Sequence, residues 1–158
     1  MLDAVRNPVG SAPLCEVVKQ GDKVVILVSD ITRAWTRTSE YLPIVVEELN
    51  NSGIPDDDIS VIVAAGTHRA NTDEEKKIIV GEDLYNRLKI YDHDAYDMDK
   101  NMYLGTTRRG TPVYLDKRAV EADKVIFNRR YYTAFVCRFR RRSQKRAAWH
   151  CSCRNNKP

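Results

Sequence analysis

Two short apolar runs constrain the fold of this chain more than any other feature of its sequence. "KVVILVSD" (residues 23–30) and "ISVIVAAGTHR" (residues 59–69) each contain a mainly aliphatic run that is followed by polar residues. Continuous apolar runs of this length are typical of strands that are buried on both faces of a parallel sheet. We therefore predict one β-strand in each run, with the polar residues directly after its carboxyl end.

Signals for helices separate and follow these strands. In "TSEYLPIVVEELNNSG" apolar residues recur at helical spacing, with Thr38 or Ser39 as the candidate N-cap and Gly53 as the stop. "TDEEKKIIVG" has a candidate cap at Thr72, acids in its first turn and a stop at Gly81. Further along, we predict strands in "LKIYDHD" and "GTPVYLD", a short helix in "KRAVEA" and a strand in "DKVIFN". Strands that alternate with helices predict an α/β fold with a mostly parallel sheet and flanking helices.

The composition of the chain changes at residue 129. All seven glycines and all 22 acidic residues precede it, whereas ten of the 26 Lys and Arg residues lie in 129–158. The 16 basic residues that remain leave residues 1–128 with a net charge of −6. We predict one α/β domain over residues 1–128, followed by a basic tail, residues 129–158, that is irregular or disordered.

The sequence gives no sign of membrane insertion or secretion. No segment approaches the ~20 consecutive apolar residues of a membrane helix, and the N-terminus lacks the basic and apolar regions of a signal peptide. Cys15 is isolated and the other three cysteines lie in the tail, which is unlike a disulfide-stabilised secreted domain. We expect a soluble, cytoplasmic protein without a membrane partner.

The loop after the first predicted strand, "SDITR", holds a carboxylate, a hydroxyl and a guanidinium. In open parallel sheets, ligands bind at the carboxyl ends of the strands. Asp30 and Thr32 can bind ribose or phosphate hydroxyls there, and Arg33 can bind a carboxylate through two parallel hydrogen bonds. The alternative is structural, with Asp30 or Thr32 capping a turn and Arg33 in solvent.

The loop after the second predicted strand contains His68. Imidazole titrates near neutral pH, which suits general acid/base catalysis. Gly66 permits close approach of the backbone to a ligand, and Thr67 and Arg69 lie beside the histidine. The alternative is an exposed loop histidine without a catalytic role. The glycine-rich motifs of standard nucleotide-binding loops are missing.

A third polar segment, "YDHDAYDMD", surrounds His93 with aspartates and raises the possibility of a metal site. Loops that bind hard metals need a defined ligand register and a turn glycine, and both are missing here. We therefore favour a solvated acidic loop. The segment "LGTTRRGTPVYLD" is typical of a hairpin or of a turn that faces an anion.

Taken in order, seven segments resemble the N-terminal region of the nickel-pincer lactate racemase family. They are "NPVGSAPL", "VVILVSDITR", "VAAGTHRANTDEE", "VGED", "HDAYD", "LGTTRRGTPVYLDKRAVEAD" and "KVIF", and they span residues 7–127. One departure is Ala34, where the family usually has proline. The resemblance implies the Rossmann-like N-terminal domain of that family.

The resemblance also implies a reaction: racemisation of a 2-hydroxy acid such as lactate, by hydride transfer through a keto acid, with a nicotinate-derived nickel-pincer nucleotide as cofactor. His68 matches one of the two acid/base histidines of the family, and Arg33 matches the arginine at the substrate carboxylate. The second histidine, the lysine that links to the cofactor and the nickel-binding histidine have no counterparts in this chain. We therefore expect the chain alone to be inactive and not to retain the cofactor. No metal ligand is assigned, and the residues expected to face the cofactor are Asp30, Thr32, Gly66, Thr67 and Arg69.

The tail departs from the family sequence, which continues approximately H-x-F-A-G-F-S-G-G-R-K. Synonymous codons for the tail, read one base later, can spell "GGTIRHSSAGFGGGVKNALPGIAAAETIN", which restores a histidine and a lysine at the family's spacing. We favour the hypothesis that a frameshift at Asn128/Arg129 produced the tail, with glycine codons read as arginine.

Two other interpretations of the tail, and one of the domain, stay open. The charge and aromatic residues of the tail could bind nucleic acid, although this signature is weak. The spacing of the candidate zinc ligands in the tail departs from the usual CxxC pairs. The domain could also bind a ligand without catalysing a reaction. The aromatic residues are Tyr131, Tyr132, Phe135, Phe139 and Trp149, and the candidate zinc ligands are Cys137, His150, Cys151 and Cys153.

Overall fold

The computed structural model describes residues 2–127 and the backbone of residues 135–137. In this part of the chain the α-helices are α1 (Leu2–Arg6), α2 (Leu14–Val17), α3 (Thr38–Asn51), α4 (Asp73–Val80), α5 (Glu82–Arg87) and α6 (Lys117–Glu121). The strands are β1 (Val24–Ser29), β2 (Ile59–Ala64), β3 (Lys89–Asp92), β4 (Asn101–Thr106), β5 (Pro112–Asp116), β6 (Lys124–Phe127) and β7 (Phe135–Cys137). Short 3-10 segments cover Ile31–Thr36 and Asp56–Asp58.

The main sheet has the strand order β3-β2-β1-β6-β7 within the described residues. β1 pairs in parallel with β2 and β6, and β2 pairs in parallel with β3, whereas β7 runs antiparallel to β6. Helices connect the successive parallel strands. The predicted α/β fold with a mostly parallel sheet and flanking helices is confirmed.

The predicted strand in "GTPVYLD" is confirmed, but it does not join the main sheet. Its strand, β5, pairs antiparallel with β4 in a separate two-stranded sheet, with Met102 opposite Leu115. A tight turn joins the two strands, in which Gly110 N–H donates to the Thr107 carbonyl at 3.0 Å. A hairpin needs no crossover, so β5 has a local partner before the chain returns to the main sheet through α6. The hairpin interpretation of this segment is confirmed.

The central strand, β1, is buried on both faces. Val24, Ile26 and Val28 contribute to one apolar cluster, which includes residues of α2, α3, α4 and α5. Val25 and Leu27 contribute to the opposite cluster, which includes a residue of α6. Side chains of a strand alternate between its faces, so only a run that is apolar at every position can fit between two helical layers. The unbroken run "VVILV" meets that condition.

Helix ends follow the sequence signals with one exception. At α4, Thr72 Oγ1 accepts a hydrogen bond from Glu75 N–H, and the Glu75 carboxylate accepts one from Thr72 N–H. This reciprocal pair confirms the predicted cap. At α3 the cap prediction is wrong, because the helix already includes Thr38 and is preceded by Arg37 in a left-handed conformation (φ 55°), without a side-chain cap. In residues 2–127, no helix combines the length and apolar character needed to cross a bilayer.

The register of the sheet brings its polar loops to one edge. Ser29 at the end of β1 is aligned with Ala64 at the end of β2, and Val63 is aligned with Asp92 at the end of β3. The residues that follow these three strands therefore emerge side by side. Asp30, the loop around His68 and the segment after Asp92 meet there.

The tail is described only at β7, where Val125 is paired with Cys137 and Phe127 with Phe135. Residues 128–134 and 138–158 lie outside the described residues, together with most of the predicted irregular tail, the candidate zinc ligands His150, Cys151 and Cys153, and the basic stretch considered for nucleic acid binding.

Candidate functional site

The carboxylate of Asp30 and the imidazole of His68 form the central contact at this edge of the sheet. The distance from His68 Nδ1 to Asp30 Oδ2 is 2.6 Å. Asp30 is 5% exposed, whereas the side chain of His68 is 58% exposed. The buried carboxylate therefore holds one side of a ring whose other side faces solvent.

This contact decides which ring nitrogen can act as a base. A carboxylate only accepts hydrogen bonds, so Nδ1 must carry the proton that lies between the two groups. In the neutral ring the lone pair is then on Nε2. The other Asp30 oxygen accepts a hydrogen bond from Thr32 Oγ1 at 2.7 Å, which fixes the carboxylate plane. The arrangement suits proton transfer at Nε2.

The turn that carries His68 depends on Gly66. His68 N–H donates to the Ala65 carbonyl at 3.0 Å, which closes a tight turn directly after β2. Gly66 has φ +62°, in the left-handed region that favours glycine. A Cβ built on Gly66 would meet no atom within 4 Å. Backbone conformation, and not crowding, therefore explains the glycine.

A surface cavity of about 280 Å³, which is half open to solvent, lies against the pair. Its volume is near the lower end of the range for small-molecule sites, which begins at roughly 300 Å³. Hydroxyl groups of a small ligand would match the polar side chains around it. The cavity is lined by Asp30, Ile31, Thr32, His68, Arg69 and Asn71.

Some of the predicted site residues do not line this cavity. Arg33, Gly66 and Thr67 are exposed nearby but are not among its lining residues. Arg33 N–H donates to the Asp30 carbonyl at 3.0 Å, so its backbone helps to form the loop that holds Asp30. The structure thus brings together four of the seven predicted site residues, namely Asp30, Thr32, His68 and Arg69.

Arg69 lines the cavity, but a carboxylate already binds its guanidinium. The guanidinium donates to the two oxygens of Glu75 at 2.7 and 2.8 Å. Hydrogen bonds from Arg69 and from Thr72 N–H lower the pKa of Glu75 to about 2. Glu75 is therefore ionised at neutral pH and offsets the charge of Arg69.

The sequence reasoning missed Asn71. This residue is 7% exposed and lines the cavity. Its Oδ1 accepts from Ile31 N–H at 3.2 Å, and its Nδ2 donates to Asp92 Oδ1 at 2.6 Å. An asparagine in a polar loop carries no distinctive local pattern, so only the three-dimensional contacts reveal its position between two strand ends.

The expectation that His93 belongs to a solvated acidic loop is wrong. His93 is 5% exposed, and its Nδ1 lies 3.5 Å from Oδ2 of Asp116, which is 4% exposed. The Arg118 guanidinium donates to both Asp116 oxygens at 2.6 and 2.9 Å. Burial alone would raise the pKa of Asp116, but hydrogen bonds from Arg118 and His93 and the charge of Arg118 hold it well below its usual value. In residues 2–127 no three His, Cys, Asp or Glu side chains form a metal-binding group.

Comparison with known proteins gives the family. The model of the lactate racemase N-terminal domain matches residues 1–130. The chain belongs to the lactate racemase family. The match ends close to residue 129, where the composition of the chain changes.

Two curated lactate racemases are similar to this chain over most of the length of this chain. The protein from Thermoanaerobacterium thermosaccharolyticum is 29% identical over 123 residues, which is 78% of this chain and 28% of that protein. The protein from Lactiplantibacillus plantarum is 35% identical over 120 residues, which is 76% of this chain and 28% of that protein. The chain therefore spans less than a third of the length of these relatives.

A solved structure supports the same relationship. The lactate racemase apoprotein from T. thermosaccharolyticum superposes with a TM-score of 0.68 at 30% sequence identity. The match covers 78% of this chain and 29% of that one. The family's N-terminal α/β fold is therefore the fold described above.

Proposed function

We propose that this chain supplies the N-terminal part of a 2-hydroxy acid racemase site, in which His68 transfers the proton of the substrate hydroxyl through Nε2. The observation that carries the proposal is the 2.6 Å contact between His68 Nδ1 and the buried Asp30 carboxylate. Membership of the lactate racemase family supports a 2-hydroxy acid as the substrate, with lactate as the first candidate. Asp30 holds the ring in the tautomer that leaves Nε2 free.

We assign Arg33 to the carboxylate of the substrate. Arg33 is exposed and lies in the loop that begins at Asp30. A guanidinium binds a carboxylate through two parallel hydrogen bonds, which would fix the orientation of a 2-hydroxy acid. We assign Asp30, Thr32, Gly66, Thr67 and Arg69 to the cofactor-facing side of the site. Thr32 lines the cavity, so its hydroxyl is a candidate for binding a hydroxyl of the ligand.

A nickel-pincer nucleotide would supply the hydride chemistry of the parent reaction. The residues described here do not by themselves fit its metal, because residues 2–127 contain no group of three side chains that could bind an ion. We therefore assign this part of the chain proton transfer and polar contacts only, and place the nickel ligands in the rest of a complete racemase.

Racemisation needs a proton-transfer group for each enantiomer, and residues 2–127 offer one. Of the two histidines in this range, His93 is buried beside Asp116 and does not line the cavity. His68 is left as the one histidine there that can reach a substrate. Loss of one member of a catalytic set typically costs orders of magnitude in rate. We therefore propose that the chain alone does not racemise lactate. The test incubates the chain with D-lactate and the nickel-pincer nucleotide, followed by enantiomer-specific detection of L-lactate. Accumulation of L-lactate above the rate measured with cofactor and no protein would contradict the proposal.

A chimera tests the assignment of His68. In it, residues 1–127 replace the matching segment of the T. thermosaccharolyticum lactate racemase, and the cofactor is supplied as for that enzyme. The chimera is expected to racemise lactate, and His68→Gln is expected to lower kcat by about 100-fold or more. An active chimera whose activity survives His68→Gln would overturn the assignment.

The same chimera tests Arg33. Arg33→Gln is expected to raise KM for lactate by about tenfold or more, because it removes a charge-assisted hydrogen-bond pair. The matched control is Arg108→Gln, which replaces another exposed arginine, in the turn between β4 and β5. Equal effects of the two substitutions would count against a specific role for Arg33.

A second candidate is a binding module that holds a 2-hydroxy acid or a nicotinate nucleotide without catalysis. The cavity beside Asp30 and His68 favours it. A ligand at 100 times its dissociation constant stabilises the folded state by about 2.7 kcal/mol. Thermal unfolding of the full chain with lactate or nicotinic acid mononucleotide tests this, with Asp30→Ala as control. Stabilisation of the full chain by either compound, together with a chimera that does not racemise lactate, would favour the binding module.

A further inference from the structure

Asn71 joins the two loops that form the Asp30–His68 pair. It lies three residues after His68, in the loop that follows β2, and its Oδ1 accepts from the N–H of Ile31, which directly follows Asp30. One side chain thus ties the loop after β1 to the loop after β2. The peptide bond that it holds is the one between Asp30 and Ile31, directly after the residue that contacts His68.

The amide of Asn71 is fixed at both ends. Its Nδ2 donates to Asp92 Oδ1 at 2.6 Å, and its backbone N–H lies 3.3 Å from the same oxygen. A flipped amide would point its NH₂ group at Ile31 N–H and its oxygen at a carboxylate, leaving both contacts without a donor–acceptor match. The contacts therefore allow one orientation of the amide.

The anchor of this amide is itself held in place. Lys76 Nζ lies 3.0 Å from Asp92 Oδ2, and both side chains are largely buried, at 17% and 12% exposed. The Asp92 carbonyl accepts a hydrogen bond from Arg118 at 3.3 Å. Asp92 is thus fixed from two sides, and Asn71 transmits that position to the loop of Asp30.

We infer that Asn71 is a positioning residue for His68: by holding the Asp30 loop against the end of β3, it keeps the Asp30 carboxylate at the Nδ1 side of the ring. This inference rests on the proposed function, because it concerns the tautomer that proton transfer requires. Asn71 acts through Asp30 and needs no contact with the substrate.

The tautomer of His68 gives a direct test in the full-length chain. Long-range ¹H–¹⁵N spectra distinguish a neutral ring protonated at Nδ1 from one protonated at Nε2, and His68→Gln identifies the signals among the three histidines. Asp30→Ala is expected to shift His68 away from the Nδ1–H form. Asn71→Ala is expected to give at least half of that shift. The matched control is Asn50→Ala, which removes an asparagine that also bridges a backbone group and an aspartate, Ile54 O and Asp56 Oδ1, at the end of α3.

A second pair of variants guards against a folding defect in Asn71→Ala. Asp92→Asn keeps an oxygen that can accept from Asn71 and should retain the Nδ1–H form, whereas Asp92→Ala removes it and should lose that form. Amide spectra show whether each variant is folded. If Asp30→Ala changes the tautomer but neither Asn71→Ala nor Asp92→Ala does, the inference about Asn71 is overturned. If Asp30→Ala itself leaves the tautomer unchanged, the proposed Asp30–His68 site fails instead.

Discussion

Asp116 is bound on both oxygens by the guanidinium of Arg118, at 2.6 and 2.9 Å, although the carboxylate is almost completely buried. Asp116 is also the N-cap of α6, where it accepts from Arg118 N–H at 3.0 Å. The same carboxylate faces the buried ring of His93. The hairpin, α6 and the segment after β3 therefore meet at one ion pair.

Replacing Asp116 by Asn is expected to lower the free energy of unfolding by about 2 kcal/mol near neutral pH, because Arg118 loses its carboxylate partner. Asn can still cap α6, so the substitution isolates the charge. Urea unfolding measures the effect, with Asp57→Asn as the control, since Asp57 is exposed. Equal stability of the two variants would contradict the prediction.

The effect of Asp116→Asn is also expected to depend on pH. The folded-state pKa of Asp116 is depressed, so its stabilising contribution is fully present above the unfolded value of about 3.9. The contribution is lost as pH falls through the lower, folded value. The difference in unfolding free energy between the wild-type chain and the variant should therefore be constant above about pH 5 and shrink below about pH 4. A difference that grows on acidification would show that another group dominates.

Thr72→Ala is expected to cost about 1 kcal/mol of stability, because it removes the hydroxyl that accepts from Glu75 N–H at the start of α4. Thr67→Ala is the matched control, since Thr67 lies in an exposed loop and its replacement should change stability by less than about 0.5 kcal/mol. Thermal or urea unfolding of both variants makes the comparison.

Gly66→Ala is expected to cost about 1 kcal/mol, because alanine is strained at φ +62° although there is room for its methyl group. Gly66→Asn should cost less, since asparagine tolerates the left-handed region. Denaturant unfolding gives both values. An alanine variant as stable as the wild-type chain would mean that the turn before His68 adopts another conformation without cost.

Leu49→Ala is expected to cost about 3 kcal/mol, because Leu49 is fully buried in the cluster between α3 and the sheet. Ile78→Ala on α4 is the control: Ile78 is 59% exposed, so its truncation should stay within about 0.5 kcal/mol. The two unfolding free energies test whether this face of the sheet forms the core.

The parallel sheet could be predicted because its strands carry a distinctive pattern. "VVILV" and "VIV" are apolar at consecutive positions, which only a strand covered on both faces requires. The sheet to which β5 belongs could not be predicted, because its residues, Pro112–Asp116, are equally compatible with parallel or antiparallel pairing. The choice depends on a partner, β4, that has no strong strand pattern of its own.

The candidate site was predictable only in part. Asp30 and His68 were found because each directly follows a clear strand, and parallel strands bring their carboxyl ends together. The burial of His93 could not be predicted from the adjacent residues. The aspartates that flank it in sequence suggest a solvated loop, whereas in the fold its ring contacts a distant residue. Its partner Asp116, and Arg118, which binds Asp116, follow more than 20 residues later. Asn71 escaped notice for the same reason.

Asp30 and His68 are 38 residues apart in sequence, and the alignment of β1 with β2 is what makes them neighbours. A peptide that holds only one of these strands cannot reproduce their contact, because it lacks the partner strand that sets the register. Assembly of the pair should therefore coincide with cooperative folding of the sheet. The ring signal of His68 would then serve as a reporter of the native state, disappearing at the same denaturant concentration as the backbone signals of the core.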